Sequence, residues 1–375
     1  MGIRMGDSSG KDSGPSHLPK SILIAASGSG GHLMPARLIG EALVSMGITV
    51  SFVGSGRPLE EEIFRSLSIP MYSVKISGLN NLGILGALKF AFQLPGAILS
   101  TVRILRKTQA QAVIGVGGYA SVLPVLLGWL RGLPTWIHEA ELAPGNANRF
   151  LSRFATVVSL AFPETKGYPV SKARFTGHPL RPDVAQVQPS QSPSGGCPKN
   201  ILVLGGSQGA RALDEAMVKI ASELKPRGIV IRHQCRPESA TLLREEYEAI
   251  GIQAEVVPFI HELGEAYAWA DLVVARAGAG TILEIGVVNR PAILVPFPFA
   301  QGLHQHRNAE TLEKIGKAKI VEEGDGFVER LHESIFQLLV TKNYFAMKNA
   351  PQAIRPMNAA QVIAEGVLHL LSGDR

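Results

Sequence analysis

Two α/β domains, each a parallel sheet covered by helices, are what this sequence predicts, and three observations predict them. The chain has 375 residues, more than one core comfortably serves. Short apolar strand-like runs alternate with helix-like segments along it, the pattern of a parallel sheet. A strand running into a glycine-rich loop and then a helix opens both halves, at Ile22 and again at Ile201. Such duplication points to two Rossmann-like domains facing each other across a cleft, with the loops after the strands meeting ligands.

The first twenty residues are polar and rich in Ser and Gly, without the apolar run of a secretory signal, and read as a loose tail (1–20). A strand at Ile22–Ala26 leads into Ser27-Gly28-Ser29-Gly30-Gly31-His32 and a helix over Pro35–Met46. Further strands are expected at Ile48–Val53, Ala112–Val116, Thr135–His138 and Thr156–Leu160, completing a first domain over 21–183. Residues 184–198, rich in Gln, Ser, Pro and Gly and without periodicity, read as a linker. The second domain, 199–355, repeats the scheme: Ile201–Leu204, the loop Gly205-Gly206-Ser207-Gln208-Gly209, a helix over Ala210–Leu224, and strands at Ile229–His233, Ala254–Val257, Leu272–Ala275 and Ala292–Val295. A last apolar-periodic segment, Ala359–Leu371 within 356–375, is expected to be a helix packing back on the first domain.

Hydrophobic residues make up 46% and charged residues 18%, a globular composition. The net charge of +6 favours anionic partners. Two cysteines, Cys197 and Cys235, exclude a disulfide framework and a four-cysteine metal site and fit a reducing cytoplasm. Leu82–Val102 is long and apolar, but Lys89, Pro95 and its glycines argue against a membrane span. From Ile63 to His138 there is no acidic residue, while Lys75, Lys89, Arg103 and Arg106 lie among Leu79, Leu82, Leu85, Leu88, Phe92 and Trp129. That asymmetry suits insertion into the headgroup layer of an anionic membrane; the bland alternative is core residues with a solvated rim. Nucleic acid is not expected, since the aromatics form no stacking platform.

Glycine loops that open helices offer backbone N–H groups and a dipole to an anion, so two of them imply a phosphorylated ligand. A dinucleotide dehydrogenase is a poor fit: Leu33 stands where a third glycine belongs, and no acid follows the second strand at Phe52-Val53-Gly54-Ser55. The second loop also reads as the nucleophile elbow of a serine hydrolase, with Ser207, Asp271 and His304 as its triad, but that leaves the first domain idle. His32 should sit at the cleft mouth, where a neutral ring takes a proton from a hydroxyl or merely bonds a ligand or carbonyl. Glu284, about one turn into the helix after Arg276-Ala277-Gly278, has oxygens suited to the vicinal hydroxyls of a ribose; its ordinary alternative is helix stabilisation. No metal-ligand cluster is visible, so no metal cofactor is expected.

Taken together, Gly28-Ser29-Gly30-Gly31-His32, Gly117-Gly118-Tyr119, His138-Glu139, Gly177-His178-Pro179-Leu180-Arg181, Gly205 to Arg211, Arg276 to Glu284 and His304-Gln305 through Asn308-Ala309 closely resemble the MurG family from about Ser21 onward. The resemblance implies the GT-B architecture. It also implies an inverting transfer of N-acetylglucosamine from UDP-N-acetylglucosamine to a polyprenyl-diphosphate-linked muramoyl-pentapeptide, with no cofactor beyond the substrates. A peripheral place on the cytoplasmic face of the bacterial inner membrane follows, with partners in cell-wall synthesis. Related diacylglycerol glycosyltransferases, and a silent UDP-sugar-binding protein, are the alternatives.

Carried over by position, the resemblance assigns donor binding to Ser29, Arg181, Ser207, Gln208, Ile260, Ala279, Gly280, Thr281, Glu284, His304 and Gln305. It assigns acceptor binding to Ser29, Gly30, Gly31, His32, Gly118 and Tyr119. His32, alone or with Glu141, is the implied base. The chain departs from the family pattern at Ala140-Glu141, where Gln-Asn is usual, at Ala277, where serine is usual, and at Leu303, where aspartate is usual.

Overall fold

Strands buried on both faces of a parallel sheet need unbroken apolar runs, and Ser21–Ala25 (β1) supplies one, with Ile22, Leu23, Ile24 and Ala25 fully buried. The computed structural model describes residues 20–76, 84–188, 196–206, 209–352 and 354–372, with residues 84–88 and 301 as backbone only. From β1 the chain continues through helix α1 (Gly30–Ser45), β2 (Thr49–Gly54), α2 (Pro58–Phe64), β3 (Met71–Ser73), α3 (Ile84–Lys107), β4 (Ala112–Gly115), α4 (Val122–Leu130), β5 (Thr135–Glu139), α5 (Asn146–Leu151), β6 (Val157–Leu160) and β7 (Ala173–Phe175). These strands form one sheet of order β3-β2-β1-β4-β5-β6-β7, parallel throughout.

After helix α6 (Pro182–Ala185) the scheme repeats. It comprises β8 (Asn200–Leu204), α7 (Arg211–Leu224), β9 (Val230–Gln234), α8 (Pro237–Ile250), β10 (Ala254–Val257), α9 (Leu263–Trp269), β11 (Leu272–Ala275), α10 (Ala279–Val288), β12 (Ala292–Leu294), α11 (His304–Glu313), β13 (Ala318–Ile320), α12 (Phe327–Leu338) and α13 (Thr341–Lys348). The second sheet, β10-β9-β8-β11-β12-β13, is also parallel. In both sheets the strand order reverses beside the first strand, between β1 and β4 and between β8 and β11. A crevice opens there at the carboxyl ends of the strands, and the glycine loops border it.

Each sheet carries a core on both faces. The last helix, α14 (Ala359–Ser372), leaves the second unit and buries Ile363, Ala364 and Val367 against Ile22, Leu33 and Ile39 of the first. Gly366 lets it approach so closely that an added β-carbon would meet the Trp136 ring at 2.5 Å.

Several boundaries differ from expectation. Helix α1 starts at Gly30 rather than Pro35, so His32 belongs to the first turn of a helix, and Pro35 lies inside it. Pro35 lacks only the N–H that would reach Gly31, a tolerable loss so near the start. The stretch read as linker begins inside α6, whose Asp183 accepts the Gly264 N–H at 2.9 Å and so docks on α9. Strands β3, β7 and β13 were not anticipated: each has three residues, at or near a sheet edge, too short for a periodic signal.

Candidate functional site

Three glycines bring the loops after β1 and β4 together. Gly28, Gly117 and Gly118 have φ of 107°, 112° and 77°, values that side chains oppose. A β-carbon on Gly118 would lie 2.2 Å from the Ser27 carbonyl oxygen, and one on Gly117 would lie 2.5 Å from His32 Cδ2. The His32 ring therefore rests on bare backbone. Its Nδ1 lies 3.1 Å from the Ser27 carbonyl, which can only accept, so Nδ1 carries the hydrogen and Nε2 of the neutral ring keeps its lone pair. Ser29 is the N-cap of α1 but spends no side-chain bond on capping, which leaves the amides of Gly30 and Gly31 at a positive helix end. Tyr119 is half-buried in the short turn that Gly118 opens.

Glu139 and Glu141, two residues apart, have different tasks. The buried Glu139 carboxylate accepts the amides of Glu141 (3.0 Å) and Gly145 (3.1 Å), the Asn148 side chain (3.2 Å) and the Tyr168 hydroxyl, and so shapes the loop after β5. Glu141 instead reaches the second unit, where Asn308 of α11 donates to its Oε2 at 2.6 Å, and Asn308 Oδ1 accepts the Leu142 N–H at 3.2 Å. Burial raises the Glu141 pKa, assisted by Glu139 and opposed by the Asn308 bond and His32. Asn308, absent from the residues assigned above, is thus a chief tie between the units.

In the second unit, α10 begins with Ala279, Gly280 and Thr281 after an N-cap glycine that contributes no side chain, again leaving helix-start amides free for an anion. Glu284 stands on this helix with Oε2 accepting the Tyr267 hydroxyl at 2.9 Å. Burial pushes its pKa up to about 7, against the Tyr267 bond and Arg181. The folded protein thus retains a proton that the unfolded chain has lost above its ordinary 4.5, and stability falls as pH rises from 4.5 to 7. Glu284→Gln removes that penalty: urea unfolding at pH 8 should show a gain of about 3 kcal/mol, with little change at pH 4.5.

Other assigned residues are already engaged. Arg181 forks onto Asp183, with both bonds at 3.0 Å, and donates to the His261 carbonyl. Ile260, the neighbour of His261, packs on the second core. Gln305 Oε1 accepts the Phe297 N–H at 2.9 Å, leaving its amide hydrogens for a ligand. His304 Nδ1 is buried without a partner among the described residues, beside a Leu303 held at φ 56°. Ser207 and Gln208 lie outside the described residues, as do Leu79 and Leu82; the side chains of Leu85 and Leu88 are likewise undescribed. The hydrolase triad fails: Asp271 binds the amides of Lys199 and Asn200 at the amino ends of β8 and β11, the opposite edge of the sheet from His304.

One cluster escaped the sequence reading. His138, at the end of β5, and His178, after β7, join through Nε2 and Nδ1 at 3.0 Å, and His138 Nδ1 meets Ser159 Oγ at 3.0 Å. Burial, reinforced for each by neighbouring histidine, holds His138 well below the ordinary value and His178 down to about 3, so both rings are neutral. Forty residues separate the pair, and only the adjacency of β5, β6 and β7 brings them together.

On the outer side of the first unit, Phe92 and Leu99 of α3 are 84% and 50% exposed, and Trp129 and Leu130 of α4 are 41% and 63% exposed. Lys89, Arg103 and Arg106 of α3 and Arg131 just after α4 are exposed as well. Lys75 lines a cavity of about 340 Å³ with Ser73, Gln93 and Ser100 beside α3. No helix among the described residues is long and apolar enough to cross a membrane.

Comparison with known proteins agrees with this fold. Residues 22–160 match the glycosyltransferase family 28 N-terminal domain and residues 200–364 the corresponding C-terminal domain. The UDP-N-acetylglucosamine--N-acetylmuramyl-(pentapeptide) pyrophosphoryl-undecaprenol N-acetylglucosamine transferase of Nitrosococcus oceani is 37% identical over 360 residues, covering 94% of this chain and 99% of its own. The protein of the same name from Ectopseudomonas mendocina is 39% identical over 305 residues, covering 80% and 84%. The crystal structure of Acinetobacter baumannii MurG superposes with a TM-score of 0.73 at 30% identity, over 93% of this chain and 99% of that one. With two parallel doubly wound units, both family 28 domains in order and relatives matched over nearly their whole length, the chain belongs to the MurG family of GT-B glycosyltransferases.

Proposed function

We propose that this chain transfers N-acetylglucosamine from UDP-N-acetylglucosamine to the 4-hydroxyl of undecaprenyl-pyrophosphoryl-N-acetylmuramoyl-pentapeptide in a single inverting displacement. The observation that carries the mechanism is the His32 ring, with Nδ1 tied to the Ser27 carbonyl and Nε2 left as an acceptor beside the helix start at Gly30 and Gly31. The acceptor diphosphate rests on those amides; the attacking hydroxyl gives its proton to Nε2, with Glu141 lining the same cleft. As the anomeric carbon–oxygen bond to UDP breaks, the amides at Ala279, Gly280 and Thr281, with Arg181, take up the charge on the leaving diphosphate, and no metal is required. Glu284 accepts the ribose hydroxyls on its free Oε1 while Tyr267 holds Oε2, and the Gln305 amide faces the sugar.

The exposed Phe92, Leu99, Trp129 and Leu130, with exposed cations on and beside the same two helices, support peripheral docking on the anionic cytoplasmic leaflet, which brings the cleft to a lipid-borne acceptor. The test is transfer of labelled N-acetylglucosamine from its UDP donor to a short-chain lipid I analogue in the presence of a chelator. Transfer that survives chelation supports the reading. Turnover with a diacylglycerol acceptor alone, or UDP-sugar binding without turnover, overturns it.

A further inference from the structure

The histidine pair ends at the donor side of the cleft. His178 is 6% exposed, its Nε2 has no partner among the described residues, and a β-carbon added to Gly280 in the first turn of α10 would sit 3.8 Å from that nitrogen. A buried ring thus aims an unused nitrogen at the start of a ten-residue helix whose first amides are free. We propose that His178 contacts the donor: its Nε2–H joins the amides of Ala279, Gly280 and Thr281 in binding the diphosphate, and His138 and Ser159 are positioning residues that set its tautomer. This rests on the UDP-sugar reading above and names a contact within it.

The hydrogen-bond inventory explains how a neutral ring can serve. Trp136 Nε1 can only donate, and Ser159 Oγ accepts from it at 2.9 Å. Ser159 then has one hydrogen and two possible receivers, the Ile137 carbonyl at 3.2 Å and His138 Nδ1 at 3.0 Å. If the hydrogen goes to Ile137, His138 donates to Ser159 through Nδ1 and accepts from His178 Nδ1, and His178 Nε2 is a bare acceptor in the cleft. If it goes to His138, that ring donates through Nε2 to His178 Nδ1, and His178 presents Nε2–H. The two arrangements hold the same number of protons and differ only in ring tautomers, which exchange with water in the open cleft, and in the rotation of one hydroxyl. An anion at the α10 amides selects the second. The diphosphate then gains a donor without a second buried charge, and after it leaves, the cleft returns to a state in which Ser159 is fully paired.

Two substitutions at one position separate this role from a structural one. Asparagine places its amide where Nδ1 stood: it keeps a partner for His138 and ends short of α10. Glutamine reaches the place of Nε2 and gives up the contact with His138. Binding of UDP and of uridine is measured by titration calorimetry on the full chain, alongside thermal unfolding. His178→Asn should weaken UDP about tenfold or more, with uridine unchanged and unfolding close to wild type, while His178→Gln should hold UDP within about threefold of wild type. Equal UDP affinity in His178→Asn and wild type overturns the proposal, as does a loss shared equally by UDP and uridine. A wild-type protein that binds uridine and UDP equally overturns it too, and one that binds neither removes the UDP-sugar reading beneath it.

Discussion

Transfer by the His32→Ala variant should fall about 10²- to 10⁴-fold, the ordinary contribution of a positioned general base, while UDP binding stays near wild type. The basis is a ring with one usable nitrogen: Nδ1 is committed to the Ser27 carbonyl, which leaves Nε2, on the ring edge beside Gly117, to take a proton. On the reading proposed above His32 meets the acceptor and not the donor diphosphate, and for that reason the loss should appear in turnover rather than in donor affinity. Single-turnover transfer with saturating donor, set beside UDP calorimetry, makes the distinction. The same assay on Glu141→Gln divides the labour. A loss confined to His32→Ala assigns the proton to the imidazole, whereas an equal loss in Glu141→Gln brings the carboxylate into the step. Loss of UDP binding in His32→Ala would show the ring to be structural.

Gly118→Ala should cost about 2–4 kcal/mol of stability, combining a left-handed backbone with overpacking. The new methyl would lie 2.2 Å from the Ser27 carbonyl oxygen and 2.4 Å from Ser27 Oγ, and the φ of 77° cannot relax without moving the loop. Ser27 is a poor residue to displace: its hydroxyl accepts the Ala120 N–H at 3.1 Å, and its carbonyl orients His32. Activity should therefore fall further than the folded fraction does. Gly278→Ala is the control, since nothing lies within 4 Å of its added carbon and its φ is an ordinary −62°; it should cost less than about 1 kcal/mol. Urea unfolding of the two variants beside wild type, with transfer rates at matched folded fractions, checks both parts. Equal stability of the two variants would refute the steric argument.

The central strands and both glycine loops were legible because their signals are local. Ile22–Ala25 and Leu272–Ala275 are apolar runs that only a doubly covered sheet can bury, and the loops follow directly. Residues whose meaning depends on distant partners were harder to read. Arg181 reads as a free cation until Asp183 is seen beside it, and Glu141 reads as a free carboxylate until Asn308, in the other unit, is seen to hold it. Glu139 lies in a motif suggestive of chemistry, yet its bonds are spent on a loop. His178 was part of a recognised motif without a task, because its partner lies two strands earlier in the sequence.

The chain passes between the units twice, outward at α6 and back ahead of α14. Two tethers define a line, and the one large relative motion that strains neither is rotation about it. A rotation about that line that widened the cleft would part Asn308 from Glu141 and carry Gly280 away from His178. The returning tether has a second attachment: α14 presses on the Trp136 ring through Gly366, and the same indole donates to Ser159. The returning tether and the histidine pair therefore share one residue, with Trp136 packed under α14 on one side and bonded to the serine that meets His138 on the other.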